Sequence, residues 1–244
     1  AGYSLRREPR LMTQGSNPQV YYKIAYDECK EIIQSGQHGL NANFEAVFRA
    51  LHDNTQDAAN EVIYAAGAFG GNSRTDSKIG YYNGMRHDNA SSWQSSGGIN
   101  AIATYFYEFG KFDGRRDITV ASIQINASNQ AIPTTGVLST DGKYRKSWTS
   151  ITGSSQNLAI DWPMIRYSDI LLMFAEADNE LNGSPSAEAV NAVQQVRNRA
   201  YAANLGQAGT IPTDKTGFFN YIVQERLLEF GGEGLRKYDL IRWN

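Results

Sequence analysis

With 244 residues the chain is long enough to bury a sizeable core, as one domain or as one and a part. A formal net charge of −2 excludes a mainly electrostatic attraction to nucleic acid or to an acidic membrane surface. The lone cysteine, Cys29, excludes an intramolecular disulfide, and no apolar run approaches the roughly 18 residues of a membrane-spanning helix. No leader pattern is visible, the chain begins at Ala1, and it stops inside an expected helix. It therefore reads as a mature piece or fragment with sequence missing at both ends.

Residues 1–16 read as the tail of a helix and a polar loop. Asn17-Pro18 marks a helix start, and Tyr21, Ile24, Ala25, Glu28 and Ile32 recur at helical spacing until Ser35-Gly36 stops the run. Cys29 falls in this helix and is expected as a small core residue. A short second helix carries Phe44, Val47, Phe48 and Leu51. Two such antiparallel helices resemble a tetratricopeptide unit, although no clean repeat of about 34 residues is visible. EVIYAA, residues 61–66, is a short β-rich run.

Residues 67–98 change character: Gly, Ser, Asn and Asp dominate, with Tyr81, Tyr82, Met85, Arg86, His87 and Trp93 embedded among them. A loop this long inside a compact domain is functional or disordered, and the large aromatics argue against disorder. Such rings require a packing partner or a ligand. GINAIATYFYEF, 98–109, predicts a helix with Ile99, Ile102, Ala103 and Phe106 inward, and ITVASIQIN, 118–126, a strand. In 136–148, Asp141-Gly142 lies between two extended runs, a hairpin signal.

Pro163 then restricts Trp162 to an extended conformation, and Ser168 and Asp169 suit a helix start. Tyr167, Ile170, Leu171, Phe174, Ala177 and Leu181 give that helix one buried face, and Asn182-Gly183 ends it. Ser184-Pro185 opens a further helix over 189–201. Helices follow over 218–230, stopped by Gly231-Gly232, and over 233–244. Arg166, Glu176, Arg197, Glu225 and Arg226 lie among apolar helical faces and are expected to be buried and mutually paired. Trp162 and Trp243 are assigned to the core. The chain thus divides into 1–66, a helix pair and strand; 67–160, a loop-rich ligand-binding region; and 161–244, a helical core.

Catalytic and metal chemistry finds little support. His38, His52 and His87 are scattered, without paired metal-ligand spacing, and each is expected at the surface. There is no GxSxG elbow, and the glycines of 67–73 and 231–234 match neither a P-loop nor a dinucleotide fingerprint. Glu176, Glu225 and Glu229 are candidates for a glycosidase pair, but the surrounding arginines make an ion-pair network the better account. No catalytic residue, cofactor or metal is assigned.

Recognition remains. A sugar ring offers apolar C–H faces to an aromatic side chain and a rim of hydroxyls to polar groups. The 67–98 loop supplies both, in Trp93, Tyr81 and Tyr82 with Asn83, Arg86, Asp88 and Asn89. These aromatics are expected as an exposed platform, the competing reading being that they pin the loop to the core. Trp148 with Tyr144 is a second candidate pair.

RYSDILLMFAEADNE, VRNRA and ERLLEFGGEGLRKYDLIRWN, in that order and spacing, resemble the C-terminal half of the SusD/RagB family, the surface glycan-binding lipoproteins of Gram-negative nutrient uptake. The resemblance implies a mainly α, SusD-like helical fold with tetratricopeptide-type helix pairs and a small irregular β component. YYKIAYDECKEIIQSG looks like the last such unit, FDGRRDIT like the family's Asp-x-Arg-Arg turn, and Lys146 fits the lysine before the core helices. The family's mode of action implies a non-enzymatic protein that captures oligosaccharide for a SusC-type TonB-dependent outer-membrane transporter. It also implies attachment at the cell surface through a lipidated N-terminal cysteine absent from this chain. The same scaffold binding peptide or another nutrient is the first alternative, and an unrelated helical enzyme the second.

Overall fold

The computed structural model describes residues 17–53, 55, 57–70, 75–134 and 138–243, so the readings of 1–16 and of the start of the 136–148 hairpin lie outside it. Nine α-helices stand against six strands of two to five residues among the described residues, a mainly α fold as expected. The chain forms two compact units. One holds the described residues up to 40, with 59–63 and those from 165 onward; the other holds 41–58 and 64–164.

In the first unit, Asn17 caps α1 (Pro18–Ser35) by accepting from the Gln19 amide at 3.0 Å, with proline in the first turn where its missing N–H costs nothing. α1 packs on α6 (Tyr167–Asn182), which also packs on α7 (Ala187–Ala200) and α8 (Lys215–Glu229). Cys29, Leu171, Phe174, Val193, Val196, Phe218 and Ile222 share the resulting apolar core. The cap of α7 is Ser186, not the expected Ser184, because the Asp178 carboxylate accepts from both the backbone and the hydroxyl of Ser186, at 2.7 and 2.9 Å, and so orients it. α9 (Arg236–Trp243) closes the described chain.

Charges cross this core in pairs. Arg166 meets Glu61, Glu229 and Glu233 at 2.8 to 3.0 Å, and Arg199 meets Glu61 and Glu229. Arg226 bridges Asp169 and Asp239, and Arg242 bridges Asp239 and Glu176. Of the five residues expected to pair with one another, Arg197 and Glu225 do, at 3.1 Å, with Arg197 half-buried. Arg166, Glu176 and Arg226 are buried as expected but take partners outside that set. Glu61 comes from 105 residues upstream of Arg166, a separation that periodicity along one helix does not reveal.

The second unit contains α2 (Phe44–Ala50), α3 (Ile79–Tyr82), α4 (Ala103–Glu108) and α5 (Arg116–Thr119), with strands β2 (Val120–Ala121), β3 (Ile123–Ile125), β4 (Ala131–Pro133) and β5 (Thr140–Asp141). β1 (Val62–Ala66) pairs with β6 (Trp162–Arg166). Four expectations are corrected. The expected 118–126 strand begins as α5 and splits at Ser122, its halves pairing separately with β5 and β4. Asp141-Gly142 is therefore no hairpin turn: Asp141 accepts from the Lys143 amide at 2.8 Å, and a Cβ on Gly142 would lie 2.5 Å from the Ile118 carbonyl oxygen. That glycine admits a close backbone passage. The hairpin is β3–β4, closed by Asn126, whose side chain accepts from Ser128 and Gln130 amides at 2.9 Å. The 98–109 helix starts five residues late, because Ala101 donates to the Ser139 carbonyl at 2.7 Å and holds the segment extended, leaving Ile99 and Ile102 exposed. The fourth correction concerns His52 and His87, both 1% exposed and not at the surface.

Candidate ligand-binding site

Residues 86–88 run beside β3, with the Ile125 amide donating to Arg86 at 3.0 Å and the Asp88 amide to Ile125 at 2.8 Å. Residue 95 returns antiparallel to them, its amide donating to His87 at 3.3 Å. Gly97 completes this return at φ +52, where a Cβ would lie 2.7 Å from that of Arg86, so glycine lets the two segments touch. Buried Lys146 pins the loop further: its ammonium donates to the carbonyls of Gln94, Gly153 and Ser155 at 2.9, 2.8 and 2.5 Å. Ser92 and Asn129 tie the loop to the β3–β4 turn through two hydrogen bonds.

The result is a cleft of about 360 Å³ lined by Arg86, His87, Asp88, Asn89, Ser95 and Ser96 together with Gln124, Ile125, Asn126 and Ile132 of the hairpin. At its wall the Ser95 hydroxyl donates to the Met85 carbonyl at 2.9 Å, so it accepts from Nδ1–H of His87 at 2.7 Å. Nε2 of His87 is then an acceptor, buried and without a partner among the described residues. Burial, and secondarily the charges of Lys146 and Arg145, push the His87 imidazole down to about 4 and keep it neutral. Asp88 Oδ1 accepts from the Ala90 amide at 2.8 Å, and Asn89 Oδ1 from Gln94 Nε2 at 3.2 Å. The side chains of Arg86 and Gln124 make no hydrogen bond among the described residues and are open to a ligand.

Of the residues expected at the site, the cleft gathers Arg86, Asp88 and Asn89. Asn83 caps α3, its amide donating to Ile79 at 2.8 Å. Tyr81 packs against the cluster of Tyr144, Leu158 and Ile160, with the Lys146 ammonium 5.4 Å from its ring. Tyr82 is 42% exposed and donates its hydroxyl to Gln156 at 2.8 Å. The two tyrosine rings meet at 71°, so they present no common plane. Trp93 is half-buried, its Nε1 buried without a partner among the described residues. Trp148 has the guanidinium carbons of Arg49 and Arg145 each 4.6 Å from its ring, and Tyr144 is fully buried against Trp162. Sequence reasoning missed Gln124, Asn126 and Ile132, which the hairpin carries in. The available signal was the Asn-rich 126–130 turn between two short apolar runs.

Residues 7–244 match the SusD family. SusD-like protein P25 of Formosa agariphila is 42% identical over 80 residues, which are 33% of this chain and 15% of that protein. A SusD homolog from Bacteroides thetaiotaomicron has the same fold, with a TM-score of 0.81 and 25% identity over 92% of this chain and 49% of that one. Surface glycan-binding protein A from the same organism, solved in complex with laminarihexaose, gives a TM-score of 0.69 at 21% identity, over 92% of this chain and 50% of that one. The chain thus spans about half the length of these solved relatives, and its match covers far less of the curated one.

Proposed function

The chain belongs to the SusD family, and from that premise we propose that it binds an oligosaccharide at the bacterial surface, without cleaving it, for import by a SusC-type TonB-dependent outer-membrane transporter. The observation that carries this reading is the cleft. It combines uncommitted donors and acceptors on Arg86, Asp88, Asn89 and Gln124 with apolar surface on Ile125 and Ile132. Sugars need that mixture, because hydroxyls left unpaired on burial cost more than the buried apolar area returns. Tyr82, 42% exposed, is assigned the stacking role expected of the loop aromatics. The oligosaccharide complex of a fold relative agrees with this chemistry. No helix among the described residues is long and apolar enough to cross a membrane, and in this reading a lipid anchor outside the chain holds the protein at the outer membrane.

Isothermal titration against a panel of oligosaccharides tests the proposal. A shallow polar cleft should bind its cognate glycan with Kd of roughly 1 μM–1 mM. Gln124→Ala should weaken binding about threefold or more, the loss of one or two hydrogen bonds. Release of reducing ends during titration overturns the non-enzymatic part. Binding of peptides in place of any glycan overturns the ligand class.

A further inference from the structure

Among the described residues every arginine side chain except one is committed. Arg49, Arg115 and Arg116 pair with Glu45, Asp113 and Asp117. The core arginines are paired as described above, and Arg145 and Arg236 donate to backbone carbonyls. Arg86 is the exception: half-buried in the cleft wall, it has no side-chain hydrogen bond and no carboxylate within 4.0 Å among the described residues. A guanidinium carries five donors in a rigid fork matched to an oxyanion, and a protein has little reason to leave it unpaired in a polar hollow unless a ligand completes it.

The surroundings add positive charge. Lys146 is fully buried, and its ammonium is held by three carbonyls with no carboxylate among its partners in the described residues. Carbonyl dipoles satisfy its donors but leave its net charge uncompensated. That charge reaches the cleft wall, where Lys146 and Arg145 act with burial to keep His87 unprotonated. The one opposing group in the lining is Asp88, which is exposed and already accepts from the Ala90 amide. Solvent screens an exposed carboxylate more than a half-buried guanidinium.

We infer that this cleft selects an oligosaccharide bearing an anionic substituent, a carboxylate or a sulfate ester, with Arg86 as its counter-ion. The inference rests on the glycan-binding reading above and specifies its ligand. A neutral sugar offers Arg86 hydroxyl acceptors alone, whereas an anion forms a charge-assisted, bidentate pair about twice as strong per bond.

The test is titration of the protein with a galacturonate tetramer, a sulfated galactan tetramer and neutral glucan tetramers, at low and high NaCl. At least one anionic tetramer should bind about tenfold or more tightly than every neutral one, and the preference should shrink at high salt. Which anionic tetramer wins distinguishes carboxylate from sulfate. Arg86→Gln should abolish the preference, and Arg86→Lys should retain part of it, since a point charge replaces the fork. Asp88→Asn keeps the acceptor for the Ala90 amide and should raise the anionic-to-neutral affinity ratio. Thermal melts confirm that each variant is folded. Equal binding of anionic and neutral tetramers, or a preference that survives Arg86→Gln, overturns the inference and leaves glycan binding standing. Failure of every glycan to bind overturns both.

Discussion

The two buried histidines show how a residue type changes meaning with its neighbours. His52 donates from Nδ1 to the Phe48 carbonyl at 2.6 Å and accepts at Nε2 from the Arg145 amide at 3.2 Å, so a neutral ring satisfies two backbone groups. Burial, the leading cause, pushes it down to about 4, as it does His87. Both therefore titrate lower in the folded protein than in the unfolded chain, which binds more protons once the pH falls below about 6.5. Their effect is absent above that pH and grows as the pH drops toward 4, at up to about 1.4 kcal/mol per pH unit for each ring. Melting temperature should decline between about pH 6.5 and 5, and His52→Gln should flatten that decline. A melting temperature independent of pH across this window would count against the neutral, buried state. Lys146 supports a second prediction. Lys146→Met leaves three carbonyl acceptors without their shared donor, so it should lower stability by more than about 2 kcal/mol in chemical denaturation. An unchanged midpoint would show that water replaces the ammonium at no cost.

At the scale of elements, α6 is held twice, by apolar packing against α1, α7 and α8 and by the charges at its start. Arg166 precedes its first turn and gathers Glu61, Glu229 and Glu233. Arg166→Met should cost about 3–5 kcal/mol, because it leaves buried carboxylates facing one another. Glu233→Gln should cost less, since it removes one of three partners and keeps a hydrogen-bond acceptor. Equal losses for the two variants, read from urea unfolding, would refute a network centred on Arg166. The helices of this unit were legible because 3.6-residue periodicity is a local property, and α6 begins and ends within a residue of the sequence expectation. The short strands were not. Two- and three-residue ladders carry no period, and β2 finds its partner in β5, twenty residues away, through backbone groups that every residue type possesses.

For the whole molecule, ligand binding should leave a footprint confined to one unit. Hydrogen exchange with a bound oligosaccharide is expected to slow at 86–96 and 124–132 and to remain unchanged in α6, α7 and α8, whose amides lie in the other unit. Protection centred on α6–α8 would move the site away from the cleft.

Residue identities alone were enough to establish the helical class, the family and the search for a ligand in the aromatic-bearing loop, since periodicity, end signals and ordered motifs are all written along the chain. They also marked Arg86, Asp88 and Asn89. They did not show that Tyr81 and Trp148 are engaged with neighbours, that His87 is walled in beside Ser95, or that Gln124 joins the cleft. Each of those facts depends on which distant segments meet, and such meetings are set by packing and backbone pairing between stretches whose own patterns carry no record of the partner.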